Sequence, residues 1–231
     1  LALKVIRGGD ERDIRQEFEH LVGWPGRELK VSEIAHFGLP RKSLDDRVNA
    51  WRTANFRNLV RGARRALLAR SLKLSNLYGS LYLVKFEAGE PVELGLASMR
   101  LVTDAGVAAI VDAFENTFEL ENFDFHGFGT GTTAEAQTQT ALVTEETTQY
   151  VVDNTRPTGT PSQPSANVYR SVATYSPDSG GTRAITEHGL FSQAATGGGT
   201  MLDRSVFAAV NLVAGSDSLQ STYDFTVTAG G

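Results

Sequence analysis

Leu219-Gln220-Ser221-Thr222-Tyr223-Asp224-Phe225-Thr226-Val227-Thr228-Ala229 is the stretch whose reading decides the fold. Leu219, Tyr223, Phe225 and Val227 occupy the odd positions, and Gln220, Thr222, Asp224, Thr226 and Thr228 the even ones. A two-residue period of this kind marks a strand with one face on a core and the other in water. Only Ser221 interrupts the inner face. Residues 206–213 are apolar at nearly every position, which predicts a strand covered on both faces. Residues 167–175 and 183–191 are rich in β-branched and aromatic side chains, as strands are. Glycine- and serine-rich stretches at 176–181, 194–200 and 214–218 separate these runs. Short strands at that spacing predict an antiparallel sandwich or barrel.

Upstream the texture changes. Residues 81–86 and 92–96 flank Ala88-Gly89-Glu90-Pro91 and read as a hairpin. Thr103 or Asp104 caps a helix that carries Val107, Ile110, Val111 and Phe114 on one face. Ser43, followed three residues later by Asp46, predicts a helix start, with Leu44, Val48 and Trp51 in its first apolar stripe. Phe56, Leu59, Val60, Ala63 and Leu67 continue that stripe. Residues 10–22 place Ile14, Phe18 and Leu21 at helical spacing before Gly23, and residues 27–42, without a period, read as an extended arm. The expected fold class is therefore α+β. A helical and hairpin region with an arm spans 1–116, and a C-terminal antiparallel β-sandwich or barrel spans 117–231.

Charge divides along a similar line. Residues 1–75 hold 16 Lys or Arg against 9 Asp or Glu, whereas residues 76–231 hold 6 against 18. Arg57, Arg61, Arg64 and Arg65 fall on one side of the predicted helix, with Arg70 and Lys73 beyond. Guanidinium forks suit phosphates and carboxylates alike. Nucleic acid is disfavoured, because the chain as a whole carries a net charge of −5 and no aromatic residues interleave with these arginines as a single-strand platform requires. The remaining readings are a contact for an acidic protein surface, a face paired with the chain's own acidic half, and a solvated helix face. Residues 153–165 contain Pro157, Pro161 and Pro164, which cannot donate to a sheet ladder. They read as an exposed, extended segment that either drapes over a neighbouring subunit or forms a plain surface loop.

No motif carries chemistry. Gly127, Gly129 and Gly131 lead to Thr132, Thr133, Ala134 and Glu135 without the lysine of a phosphate-binding loop, so this run reads as a tight turn after a strand at 120–125. His20, His36, His126 and His188 form no short metal-spacing pair. Asp124 and His126, two apart, make at most a weak two-ligand set. Glu187 and His188 point to opposite faces of a strand, and no nucleophile elbow occurs. Catalytic, cofactor and metal sites are each expected to be absent. With 231 residues and no cysteine, stability must come from packing rather than disulfides. No run approaches the ~20 apolar residues of a membrane helix, and the opening LALKVIRGGDERD is too charged for a secretory signal.

The stretch HGFGTGTTAEAQTQTALVTE, with its Leu-x-x-Glu end at Leu142 to Glu145, is followed by ITEHGLFSQAATGGGTMLDRSVFAAVNLVAGSDSLQSTYDFTVTAGG. Thr186 to Phe191, then a glycine-rich hairpin into Leu202-Asp203-Arg204, then the alternating strand complete the pattern. From Phe125 onward the chain resembles a recurrent β-domain of tailed-bacteriophage virion proteins. The resemblance implies a non-enzymatic virion structural protein, in the first place a capsid decoration or cement protein that binds the major capsid protein or other virion subunits. It also implies a homo-oligomer, with a trimer favoured, located in the capsid and assembled in the host cytoplasm. A neck, tail or baseplate component and a receptor- or carbohydrate-binding β-domain are the alternatives.

Overall fold

A computed structural model of the chain describes residues 4–7, 10–13, 53–100, 102–151, 153–178 and 181–229. In chain order the elements are β1 (Lys4–Arg7), β2 (Asp10–Asp13), α1 (Phe56–Ser71), β3 (Asn76–Glu87), β4 (Glu90–Arg100), α2 (Asp104–Phe114), a 3-10 turn at Leu120–Asn122, β5 (Phe125–Gly129), β6 (Thr160–Ser165), β7 (Val168–Tyr175), β8 (Thr182–Phe191), β9 (Met201–Val213) and β10 (Ser218–Thr228). Antiparallel pairing places β10 between β3 and β7 in a five-stranded sheet of order β4-β3-β10-β7-β6, and β5-β8-β9 form a second sheet.

The two sheets share one core. Leu81 and Leu83 of β3, Leu94 and Ala97 of β4, Tyr175 of β7 and Leu219 of β10 meet Phe128 of β5, Ile185 of β8, and Phe207, Val210 and Leu212 of β9. This is the expected antiparallel sandwich, but it draws strands from both sides of residue 116. The hairpin β3–β4 supplies two of the five strands of the larger sheet, so the expected division at 116/117 runs through a single sheet. The hairpin turn falls where Ala88-Gly89 predicts it. Both residues have positive φ, 49° and 91°, and a two-residue turn of that twist matches the right-handed twist of paired strands.

Several expectations are corrected. Asp10–Asp13, expected to open a helix, is strand β2, whose register sets Asp10 opposite Arg7 and Asp13 opposite Lys4. Residues 14–22, the arm at 27–42 and the helix start at Ser43 lie outside the described residues. Residues 120–125 are not a strand: Leu120–Asn122 form a 3-10 turn, and β5 starts at Phe125. Gly127 and Gly129 therefore lie within a strand rather than in a loop. On β9, Phe207, Val210 and Leu212 are buried while Ala208, Ala209, Asn211 and Val213 are exposed, so residues 206–213 are covered on one face only. Among the described residues, no layer covers the outer face of β9 there.

Residues 130–159 connect β5 to β6 without regular structure, and buried charge holds them in place. The Glu187 carboxylate is wholly buried and accepts hydrogen bonds from the backbone N–H groups of Gly131, Val143 and Thr144 (3.0, 3.1 and 2.8 Å), while Arg204 Nε donates to its Oε2 at 2.8 Å. Arg204 also donates to the Thr133 carbonyl and to Gln139 Oε1. Arg156 grips Glu145 with two donors, donates to the carbonyls of Gln193 and Gly198, and lies 3.5 Å over the Phe191 ring. A buried charge is tolerable only when its partners are this complete. The glycines make the arrangement possible, because a Cβ on Gly129 would approach Glu187 Oε1 to 2.6 Å.

Candidate protein interface

Helix α1 begins where its polar residues find the sandwich. Asn55 caps it by accepting from Asn58 N at 3.2 Å, and its side-chain amide donates to the Val206 carbonyl at 2.7 Å. Asn58 reaches Glu135, whose carboxylate also accepts from Val206 N. Ala54 and Leu59 then pack with Tyr78 and Met99. These contacts fasten only the first turns. The apolar stripe expected through Leu67 does not all turn inward: Val60 and Leu67 are exposed, as are Leu68, Leu72 and Leu74.

Arg57, Arg61, Arg64 and Arg65 are all exposed on α1, as are Arg70 and Lys73. At 100° per residue, Arg57, Arg61, Arg64, Leu68 and Leu72 form one outward stripe, basic in its first half and apolar in its second. No ion pair joins these arginines to another described residue. Among the described residues, the acidic half of the chain supplies them no ion pair.

The proline-bearing segment lies elsewhere. Pro161 and Pro164 sit in β6, the far edge of the five-stranded sheet, which is exposed along its whole length. Pro157, half-buried, precedes it. Pairing with β7 runs from Thr160↔Val172 to Ser165↔Val168 with a break between Ser162 and Ser165. Prolines on an edge strand remove the free N–H groups that a foreign strand would use. Beside β6 lies a shallow groove lined by Pro161, Gln163, Asn167, Tyr169, Phe225 and Val227. Four strand spacings of ~4.8 Å separate β4, on which α1 packs, from β6. The arginine and proline sets are therefore two separate surfaces at opposite edges of one sheet.

Sequence reasoning missed two features. The first is the orientation of α2. Thr103 caps this helix as expected, accepting from Gly106 N at 3.0 Å, but Gly106 and Ala109 face inward, toward Val102 and Leu202. Val107, Val111 and Phe114, expected on the core, are turned to solvent, and Phe114 is 89% exposed. A Cβ on Gly106 would lie 2.6 Å from Val102 and 2.7 Å from the Leu202 carbonyl. Close approach thus selects the small-residue face.

The second is a polar cluster between the sheets. Asp124, His126, Ser171, His188 and Ser221 form a hydrogen-bonded chain in which both imidazoles are fully buried. The Ser171 hydroxyl donates to Asp124 Oδ1 at 2.6 Å, which leaves its oxygen to accept from His126 Nε2 at 2.9 Å. His126 Nδ1 then accepts from His188 Nε2 at 3.0 Å and lies 2.8 Å from Ser221 Oγ. Ser221, the residue that breaks the apolar face of β10, is the cluster's footing on that strand. Desolvation lowers the pKa of His126 to about 3, and desolvation followed by the neighbouring His126 lowers that of His188 well below the usual range. Both rings are neutral at pH 7. Burial raises the Asp124 pKa against the lowering effect of Ser171 and Tyr169.

Despite holding serine, histidine and aspartate, this cluster lacks the geometry of a nucleophile and its base. The serine stands between aspartate and histidine, so its proton is directed to the carboxylate. Its Oγ is also wholly buried beneath Gly159. Asp124 and His126, weighed as metal ligands, are bridged by Ser171 instead. Among the described residues no group of three His, Asp or Glu side chains is placed to hold a metal ion, and no helix is long and apolar enough to cross a membrane. Glu187 and His188 do point to opposite sides of β8, one to Arg204 and the other to His126. A bulge at Ile185/Glu187 shifts the phase, so that Ile185 and His188 both face the core. No protein-family model matches the chain, and no curated protein matches it in sequence.

Proposed function

We propose that this chain is a non-enzymatic virion structural protein of a tailed bacteriophage, and specifically a capsid decoration or cement protein that binds the major capsid lattice. The observation that supports this reading most is the outward stripe of α1, where Arg57, Arg61 and Arg64 run into Leu68 and Leu72, exposed and without an ion-pair partner among the described residues. Charged and apolar groups set together on a rigid element suit a protein interface, in which charge sets register and apolar area supplies affinity. The sandwich behind it presents few other functional surfaces, since its polar cluster and its larger ion pairs are spent on its own packing. Edge prolines on β6 fit a subunit that sits beside many copies of itself without fusing sheets.

Quantitative mass spectrometry of purified particles tests this reading. A cement protein is present in many copies per particle, and Arg57→Glu with Arg61→Glu lowers that occupancy. A few copies at one vertex would move the assignment to neck, tail or baseplate, and absence from particles would overturn the virion reading.

A further inference from the structure

Two helices of this molecule carry matching faces that no described residue covers. On α1 and the residues just after it, Arg57, Arg61, Arg64, Arg65, Arg70 and Lys73 accompany exposed Leu68 and Leu72, and residues 53–75 contain no acidic side chain. On α2 and the turn after it, exposed Val107, Val111 and Phe114 are accompanied by Asp104, Asp112, Glu115, Glu119 and Glu121, and residues 102–122 contain no basic one. No ion pair links the two sets among the described residues. A helix that turns Val107, Val111 and Phe114 to water while burying glycine and alanine calls for an explanation, because of its large apolar side chains only Ile110 packs against the core.

We propose that α1 of one copy of this chain docks on the α2 face of a second copy, with the helices antiparallel. Only that direction aligns both properties. With α1 reversed along α2, Leu68 and Leu72 lie over Val111 and Val107, Arg64 lies over Glu115, and Arg57 and Arg61 reach past the C-terminus of α2 toward the turn that carries Glu119 and Glu121. Arg70 and Lys73 then fall beside Asp104. The parallel arrangement would set the leucines against the glutamates. Antiparallel placement also opposes the helix dipoles favourably. At 1.5 Å per residue α1 is about 24 Å long and α2 about 17 Å, so α1 covers α2 and overhangs its C-terminus.

The contact is heterologous, since it joins different surfaces of the two copies, and it therefore builds either a closed ring or an extended lattice. Two short helices bury less than the ~1,200 Å² at the low end of specific interfaces, so one contact alone is weak and gains from repetition. The proposal rests on the assembly reading above only in taking α1 as a contact surface, and it names a second copy as the occupant.

Sedimentation velocity over a concentration series, on the full chain, tests it. The wild type is expected to self-associate, with salt sensitivity. Arg61→Glu with Arg64→Glu, and separately Glu115→Arg with Glu119→Arg, each alter only exposed side chains and weaken self-association at least about tenfold. Mixing the two variants restores association, because each then supplies the complement of the other's altered face. A wild type that stays monomeric overturns the proposal, as do charge variants that associate like the wild type or a mixture that fails to recover. Any of the three removes α1 of a second copy as the occupant of the α2 face. Copy number on particles is independent of all three outcomes, so failure here and failure of the virion reading are told apart.

Discussion

Lowering the pH from about 7.5 to about 5 is expected to destabilise this protein before its carboxylates titrate. His126 and His188 are neutral between the sheets, whereas in the unfolded chain each would ionise near the ordinary value of 6.5. A folded-state pKa below the unfolded one means that unfolding takes up protons, so stability is complete above pH 6.5 and falls as the pH drops toward the folded value. For His126, moving from 6.5 to about 3 at ~1.4 kcal/mol per tenfold change in proton affinity gives a full acid penalty of about 5 kcal/mol. About 2 kcal/mol of that is realised by pH 5, and His188 adds a contribution of the same sign. Such a loss is a large share of the 5–15 kcal/mol typical of a domain. Asp124 and Glu146, whose pKa values burial raises, act in the opposite sense at lower pH, which confines the histidine signature to the interval between 6.5 and about 5. Urea midpoints followed by circular dichroism across that interval measure the effect. Replacing both residues, His126→Gln with His188→Gln, should flatten the profile, and histidine ring-proton NMR should find two rings that do not titrate in the folded protein. A wild-type midpoint independent of pH from 7.5 to 5, or two more ordinary histidine titrations near 6.5 in the folded state, would refute the reasoning.

Three further outcomes follow from the geometry, two from buried groups and one from an exposed edge. Arg204→Met leaves the Glu187 carboxylate, wholly buried, without its cation and should cost about 3–5 kcal/mol. Pairing it with Glu187→Gln should cost less than the two single losses together, as a double-mutant cycle by chemical denaturation will read. Gly159→Ala would drive a Cβ into Ser171 Oγ and to 2.5 Å from Asp124 Oδ1; thermal melting should show a loss of about 2 kcal/mol or more. Pro161→Val with Pro164→Val restores two N–H groups to an exposed edge strand, and light scattering should report faster aggregation at unchanged folded-state ellipticity.

Strand-length runs rich in alternating, β-branched or aromatic residues were legible: residues 167–175 and 183–191 coincide with β7 and β8 to within a residue, although β8 is buried on both faces from Ile185 to Phe191. Residues 219–229 mark β10, but the expected alternation holds only through Tyr223, because Asp224 and Thr226 are buried, Phe225 is half-buried and Val227 is exposed. Periodicity reports that a face is apolar but not which layer receives it. This is why α2 was expected to bury Val107 and Val111: the close approach at Gly106 that reverses the helix is a tertiary contact with no local trace. Glycine's permissive φ makes the run at 127–131 read as a turn, yet Gly129 and Gly131 are needed for want of a side chain beside Glu187, and Gly127 for want of one beside Phe191. The end of the run does help to cradle a carboxylate, and that carboxylate belongs to the chain itself. Ser221 was visible as an irregularity, but its meaning depends on His126, 95 residues away. The arginine face was legible because exposed charge at helical spacing needs no partner to be recognised.

The position of β10 bears on how the molecule comes into being. This strand separates β3 from β7, and its register ties Thr228 to Asn76. While the ribosome is still synthesising residues beyond 175, the two hairpins β3–β4 and β6–β7 each hold out a bare edge toward a gap that only residues 218–228 can fill. The larger sheet therefore closes after translation has passed its last strand, and loop closure over some 150 residues makes that step slow by the usual dependence on contact separation. Those two edges are the surfaces a chaperone would shield, and nascent chains stalled before residue 218 should be the species it captures.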